Sequence, residues 1–295
     1  MSAQLNTPSI AVLLDYGRQK LGATLSNDPH ADPALDSEIL LAHYAHLSRA
    51  DLHAKPEFEV DHLKAFHFCT AIEQRAIGTP VAYLLNSAGF HALELFITPD
   101  VLIPRPETEL LVDWALELAN EEAHILDLGT GSGAIALALA NALPKARILA
   151  TDQSMNVLDV ADRNAEQYGY NGHVRFLEGS WYDALAQEPE LGLFDLIVSN
   201  PPYIAENDPH LEQGDVQHEP KIALVSGADG LDALRIIIAG APQRLNAGGW
   251  LLVEHGYDQE AVVQALFQEA GFSNIQTRKD LNGHPRTTGG QYLGA

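Results

Sequence analysis

The chain has 295 residues, of which 46% are hydrophobic, a formal net charge of −23 and a single cysteine. This length allows two domains with real cores, and one cysteine excludes an internal disulfide and fits a reducing cytosol. The acidic excess disfavours a nucleic-acid partner, because phosphates are held largely by Lys and Arg.

Residues 1–78 have the pattern of a small helical domain. Residues 1–6 carry no basic segment, so no secretory signal is expected. Apolar residues at helical spacing predict helices over 8–25, from Pro33 with Asp32 as N-cap, and over 60–76. The histidines of this region lack metal-ligand spacing, so no metal site is predicted at His43, His46, His53, His62 or His67.

Residues 79–106 have the pattern of extended chain, beginning at 81–84, with Gly and Pro between short apolar stretches. We therefore expect a β-hairpin linker here. Pro106 and Glu107 follow, and proline with an early carboxylate is typical of a helix start.

Beyond Pro106, strand and helix patterns alternate along the chain. Strands are predicted over 123–128, 146–151, 173–178, 193–199, 249–254, 273–278 and 290–294. Helices are predicted over 107–120, 132–142, 154–168, 229–243 and 257–271. This alternation predicts an α/β fold with a doubly wound, mostly parallel seven-stranded sheet, which binds ligands outside the carboxyl ends of its strands. The apolar stretch 124–143 is interrupted by Asp127 and three glycines, so no membrane span is expected.

A glycine-rich turn follows the first strand of this sheet, where residues 127–133 read Asp-Leu-Gly-Thr-Gly-Ser-Gly. Glycine permits positive φ and lets a ligand approach the backbone closely. The spacing matches neither the dinucleotide fingerprint nor the P-loop. Asp152 ends the next strand, 19 positions after Gly133, where a carboxylate in such a sheet accepts both hydroxyls of a ribose.

The fourth strand of the sheet ends in Asn200-Pro201-Pro202-Tyr203. Two prolines cannot continue a strand ladder, and taken alone Asn-Pro is a turn. Beside the glycine-rich turn, the same residues present an amide side chain, carbonyls without competing donors and an aromatic ring. That set suits the binding of a planar, weakly nucleophilic NH2 group.

These motifs resemble the class I S-adenosylmethionine-dependent methyltransferases that act on exocyclic or amide nitrogen. The run Val101-Leu-Ile-Pro-Arg-Pro-Glu-Thr-Glu109, with 78–83 before it and 219–224 after the proline pair, is similar to the release factor glutamine methyltransferases. The similarity covers about residues 75–290. It implies S-adenosylmethionine as cofactor, release factors as cytoplasmic protein substrates, and the glutamine of their Gly-Gly-Gln motif as acceptor.

The family resemblance also implies a division of the chain and a set of site residues. The expected parts are a helical substrate-recognition domain over 1–78, a hairpin linker over 79–106 and a methyltransferase domain over 107–295. The cofactor residues would be Asp127, Gly129, Thr130, Gly131, Ser132, Gly133, Asp152, Trp181 and Asn200. The catalytic and substrate-binding residues would be Asn200, Pro201, Pro202 and Tyr203, with Arg105 and Glu107 also contacting substrate.

Several alternatives remain open at this point. Trp181 is equally explained as a core residue, and Arg105 and Glu107 as parts of a helix start. Other acceptors are a glutamine of a ribosomal protein or adenine in nucleic acid, against which the 101–109 run and the acidic charge argue. A binding module without catalysis is disfavoured by the complete set of motifs.

Overall fold

The computed structural model describes residues 7–26, 31–188 and 191–294, so the expectation about a signal in residues 1–6 lies outside the described residues. The chain divides into two compact units. One consists of Met1–Ser87 with Pro209–His218, and the other of Ala88–Asp208 with Glu219–Ala295. The short segment 209–218 thus groups with the N-terminal helices, although it lies within the range that the sequence patterns assign to the methyltransferase domain.

The described part of the first unit is helical. Its helices are α1 (Ile10–Thr24), α2 (Pro33–Ala45), α3 (Arg49–Ala54), α4 (His62–Ala76) and α5 (Val81–Leu85). The predicted cap is confirmed, because the Asp32 carboxylate accepts the backbone N–H groups of Ala34 at 3.1 Å and Leu35 at 3.0 Å. Helices α1, α2 and α4 pack around one apolar core, in which Leu21, Leu40 and Ile72 are fully buried.

Helix α5 corrects the prediction of extended chain over 81–84. Val81, Leu84 and Leu85 all pack against the helical core, and their spacing of three and four residues is the spacing of a helix. The helix is only 5 residues long, between Pro80 and a left-handed Asn86. Its periodicity is therefore too short to be distinguished from an extended stretch.

The second unit begins with the predicted hairpin, formed by β1 (Ser87–Phe90) and β2 (Leu93–Phe96). A single 3₁₀ turn at Pro106–Thr108 leads into α6 (Glu109–Leu118). The sheet then consists of β3 (His124–Leu128), β4 (Arg147–Asp152), β5 (Val174–Glu178), β6 (Phe194–Ser199), β7 (Leu245–Glu254), β8 (Ser273–Lys279) and β9 (Pro285–Gln291). Helices between these strands are α7 (Ala134–Ala142), α8 (Met155–Tyr168), α9 (Asp232–Gly240) and α10 (Glu260–Glu269).

The sheet has seven strands, the number that the sequence patterns predict, and their order is β5-β4-β3-β6-β7-β9-β8. Strands β3 to β7 pair in parallel, and β9 runs antiparallel to both β7 and β8. The core on one side includes buried residues of α6 and α7, and a second core includes those of α9 and α10. The order in which the strands are added reverses between β3 and β6, and ligands bind at this switch point in folds of this type.

The last strand was predicted in the wrong place. It occupies 285–291 rather than 290–294, and two of its four buried positions are glycines. A Cβ atom on Gly289 would meet Leu252 and Trp114, and one on Gly290 would meet Phe267 at 2.6 Å. Packing therefore demands residues that weaken a strand signal in the sequence.

Candidate active site

The glycine-rich turn joins β3 to α7 in a conformation that requires its glycines. Gly129, Gly131 and Gly133 have φ values of +73°, +56° and +85°. The backbone N–H groups of Gly129 and Thr130 both donate to the Thr151 carbonyl at 2.9 Å, which fastens the turn to β4. A Cβ on Gly131 would meet no protein atom within 4 Å, so open space lies above the turn at this position.

Asp127 lies under the turn and is completely buried. Its Oδ2 accepts the Thr130 hydroxyl at 2.7 Å, whereas its Oδ1 has no partner among the described residues. Burial raises the pKa of Asp127 to about 7, against the opposing hydrogen bonds from Thr130 and the Ala136 backbone. A buried carboxylate with an unused oxygen is costly unless a donor reaches it.

Asp152 and Trp181 flank the turn from the neighbouring strands. The Asp152 carboxylate accepts the N–H groups of Gly131 and Ser154, each at 3.2 Å, and burial raises its pKa. The Trp181 ring lies against Gly129, since a Cβ there would be 3.2 Å from the ring. Trp181 also packs against the apolar core, so the core and cavity interpretations of this residue are compatible.

Asn200 follows β6 and is held by a residue distant in sequence. Its Nδ2 donates to the Thr108 hydroxyl oxygen at 3.0 Å, and its Oδ1 accepts no hydrogen bond from the described residues. The Tyr203 hydroxyl donates to Glu254 Oε1 at 3.2 Å, and the Tyr203 carbonyl accepts Gln259 Nε2 at 2.9 Å. The tetrapeptide is therefore anchored at both of its ends.

Glu254 ends β7 and is buried beside this tetrapeptide. Burial raises its pKa to about 7, and the nearby Thr108 hydroxyl, the Tyr203 hydrogen bond and the charge of Arg286 oppose that rise. Its Oε2 has no partner in the part of the chain that the structure describes. The Tyr203 hydroxyl in turn has a raised pKa, first because it is buried and then because Glu254 is near.

Glu219 joins two segments that are distant in sequence, its own and the one that contains Ile103 and Arg105. Its buried carboxylate accepts the Ile103 N–H at 3.1 Å and forms an ion pair with the Arg105 guanidinium. The chain around 103–105 is thereby tied to the chain around 219–223. Arg105 serves this connection as well as lining the cavity described next.

The turn, the strand end that carries Asp152 and the tetrapeptide residues Asn200 and Pro202 surround one cavity of about 320 Å³. The predicted residues that line it are Arg105, Gly129, Thr130, Gly131, Ser132, Asp152, Trp181, Asn200 and Pro202. Those that do not line it are Glu107, Asp127, Gly133, Pro201 and Tyr203. Hydrophobic residues complete the wall, among them Val101, Ile135 and Val157.

Sequence reasoning missed Thr108, Glu219 and Glu254. Thr108 and Glu219 lie in the runs that carry the resemblance, but only as part of a pattern. Glu254 gives one usable signal, a carboxylate directly after the apolar run Trp250–Val253 at a predicted strand end.

The fold and this site define a class I S-adenosylmethionine-dependent methyltransferase. Residues 106–217 match the model of the methyltransferase small domain, and residues 13–85 match that of the PrmC N-terminal domain. A 16S rRNA N2 G1207 methyltransferase of T. thermophilus, solved with AdoMet and guanosine, shares the fold. Its TM-score is 0.51 at 22% identity, with 70% of this chain and 49% of that chain covered.

Two relatives identify the family within that class. A release factor glutamine methyltransferase of Xylella fastidiosa (strain Temecula1) is 50% identical over 262 residues, which are 88% of this chain and 94% of the relative. One of Burkholderia pseudomallei is 47% identical over 267 residues, 88% and 93% of the two chains. The chain therefore belongs to the release factor glutamine methyltransferase family, as its motifs predicted.

S-adenosylmethionine is accordingly the cofactor, and the residues around the cavity fit it. The open space over Gly131 leaves room for a ligand against the turn, and the Asp152 carboxylate in the cavity wall is a hydrogen-bond acceptor. Among residues 7–26, 31–188 and 191–294, no cluster of His, Cys, Asp or Glu could hold a metal ion. Nor is any helix of these residues long and apolar enough to cross a bilayer.

Proposed function

We propose that this enzyme methylates the side-chain amide nitrogen of the glutamine in the Gly-Gly-Gln motif of peptide chain release factors. The observation that carries the proposal is Asn200, which lines the cavity and whose Nδ2 is occupied by Thr108, while its Oδ1 accepts no hydrogen bond from the residues that the structure describes. A free carboxamide oxygen is a hydrogen-bond acceptor, and the acceptor glutamine has two N–H groups to donate. The names of the relatives support the choice of release factors.

The glycine-rich turn and its neighbours hold the cofactor in this proposal. Gly129, Thr130, Gly131, Ser132 and Gly133 let its methionine end approach the backbone. The Asp127 carboxylate acts on its amino group through Oδ1, directly or through water. Asp152 accepts the ribose hydroxyls, and Trp181 packs against the adenine. When bound, S-adenosylmethionine supplies an electrophilic methyl group on a sulfonium.

The acceptor side must compensate for a poor nucleophile, because the lone pair of a carboxamide nitrogen is delocalised into its carbonyl. Asn200 Oδ1 and the Pro201 carbonyl accept the two N–H hydrogens and hold the nitrogen in line with the methyl group. Pro202 stiffens the loop. Tyr203 anchors the loop through its hydroxyl, and Arg105 and Glu107 shape the entrance. Positioning and electrostatics of this kind account for direct displacement without a strong base.

The helical unit grips the release factor in this proposal. Leu63 and Phe66, one turn apart on α4, are each 64% exposed, which is unusual for large apolar side chains at this spacing. With an acidic methyltransferase region, the enzyme acts on protein without binding nucleic acid directly. Because release factors act in translation, the enzyme works in the cytoplasm.

Mass spectrometry tests the reaction directly. Unmethylated release factor incubated with the enzyme and S-adenosylmethionine should gain one methyl group on the Gly-Gly-Gln glutamine. A factor with that glutamine replaced by alanine is the matched control and should gain none. Methyl transfer to ribosomal protein or to nucleic acid instead would overturn the substrate assignment and leave the fold and cofactor intact.

A further inference from the structure

We infer that Thr108 and Glu254 are positioning residues that fix which end of the Asn200 side chain faces the acceptor amide. This inference deepens the proposed function and rests on it. It starts from a property of asparagine: the two ends of the amide have nearly the same shape but opposite hydrogen-bonding roles. Only Oδ1 can accept an N–H from a substrate amide, and a turned side chain would present a donor to a donor.

The shape of the site alone does not select the correct end, so hydrogen bonds must. Asn200 Nδ2 donates to Thr108 Oγ1 at 3.0 Å. A hydroxyl can also donate, however, and could then hold Asn200 by its oxygen. If the Thr108 hydroxyl donates its proton to another acceptor, it can only accept a hydrogen bond from Asn200. The direction from Asn200 Nδ2 to Thr108 Oγ1 is then the only one available.

Glu254 is the acceptor that we assign to the Thr108 hydroxyl proton. A carboxylate only accepts hydrogen bonds, and the Thr108 hydroxyl lies near this one, whose buried Oε2 has no hydrogen-bond partner among the described residues. The Tyr203 hydroxyl donates to Oε1, which leaves the unpartnered Oε2 as the acceptor open to the Thr108 proton. With its proton directed at Glu254, Thr108 retains only lone pairs for Asn200. The amide nitrogen of Asn200 then turns to Thr108, and Oδ1 turns to the cavity.

The surroundings of Glu254 favour this arrangement. Thr108 approaches from the turn before α6, Tyr203 from the loop after β6, and Arg286 from β9, with Glu107 as the opposing charge. Arg286 is itself held by Asp280 at 3.1 Å. Its positive charge helps to keep a carboxylate buried at this position. Residues of three separate segments thus surround the Glu254 carboxylate, which in turn orients the side chain of Asn200.

Thr108→Val tests the inference, since valine keeps the shape and loses the hydroxyl. We expect kcat for methyl transfer to the release factor to fall about 10- to 100-fold, the scale of a misplaced catalytic contact. Cofactor affinity by calorimetry should stay at the wild-type value. Thr108→Ser keeps the hydroxyl and should recover most of the lost rate. Thr277→Val is the matched control, because this residue on β8 has a hydroxyl that is hydrogen-bonded to Gln264 and does not line the cavity.

A second comparison separates positioning from a general packing effect. In an Asn200→Ala background, Thr108→Val should cause no further loss of rate, because the side chain that it orients is gone. Additional loss in that background, full activity of Thr108→Val, or failure of Thr108→Ser to recover the rate would each overturn the inference. The wild-type enzyme in the same assay reports separately on the proposed function, which falls if wild type itself transfers no methyl group.

Discussion

The cofactor half and the acceptor half of the cavity are assembled in different ways. Residues 127–133 and Asp152 come from one strand-turn-helix and the next strand, and their contacts are largely backbone hydrogen bonds. The acceptor half joins Thr108 to Asn200 and Tyr203 to Glu254 through side-chain hydrogen bonds, and each pair is more than 50 residues apart in sequence. A local motif can build the first half, whereas only the assembled sheet builds the second.

Each half contains one buried carboxylate, and the two carboxylates face similar physical problems. Asp127 and Glu254 both have pKa values raised by burial to about 7, and both keep one oxygen without a partner in the described chain. In the cofactor half, the incoming ligand can satisfy that oxygen. In the acceptor half, the carboxylate accepts the Tyr203 hydroxyl. We propose that the same residue chemistry serves binding in one half and orientation in the other.

The largest expected effect lies in the acceptor half. Asn200→Ala should lower kcat by about 10²–10³, the usual cost of removing a positioned electrostatic contact. Cofactor affinity should fall only modestly. Single-turnover methyl transfer and calorimetry measure the two quantities, with the exposed Asn141→Ala as control. Intact turnover in Asn200→Ala would refute the acceptor role.

A substitution in the cofactor half should weaken cofactor binding more than it lowers the rate. Asp152→Ala removes a carboxylate proposed to accept both ribose hydroxyls, so the Kd for S-adenosylmethionine should rise about 10- to 100-fold. The rate at saturating cofactor should change much less. Asp159→Ala, an exposed carboxylate on α8, is the control for lost charge. An unchanged Kd would rule out the ribose assignment.

Glu254→Gln should show that the buried carboxyl of the acceptor half supports activity but lowers the stability of the folded protein. Because the folded pKa of Glu254 lies near 7, above its ordinary 4.5, the folded protein binds more protons between these values. Wild type therefore loses stability as pH rises from 4.5 through 7, by up to about 3 kcal/mol, whereas the glutamine variant lacks this loss. Urea unfolding at pH 5 and pH 8 measures the difference.

The corresponding control is Glu122→Gln, which changes an exposed carboxylate in the same way. Its free energy of unfolding should track wild type at both pH values. Glu254→Gln should nevertheless be slower in methyl transfer. A parallel pH response of wild type and Glu254→Gln would show that the buried carboxyl does not ionise in this range.

The smallest effect concerns the backbone of the cofactor half. Gly131→Ala and Gly172→Ala both place alanine at positive φ with no atom in the way, so each should cost about 1–2 kcal/mol of stability. Only Gly131 lies in the cavity wall. Its variant alone should bind S-adenosylmethionine about 10-fold more weakly, because Cβ blocks close approach to the backbone. Equal affinities of the two variants would contradict the placement of the cofactor over this turn.

The sequence by itself determined the fold class and the family, and it singled out residues 129–132 and Asp152, which line the cavity. Alternating patterns specify a doubly wound sheet, and contiguous motifs such as 127–133 and 200–203 carry their meaning in local backbone chemistry. The sequence patterns failed where local signals were weak. Helix α5 is too short to show its period, and β9 carries glycines that packing against Trp114 and Phe267 requires.

Only the tertiary structure decided the surroundings of Asn200. Glu254 appears in the sequence as one of 40 acidic residues. Its burial, its contact with Tyr203 and its approach to Thr108 follow from the pairing of β6 with β7 and from the chain before α6. Side-chain orientation depends on partners that are distant in sequence, and no local pattern records which partners the folded sheet brings together.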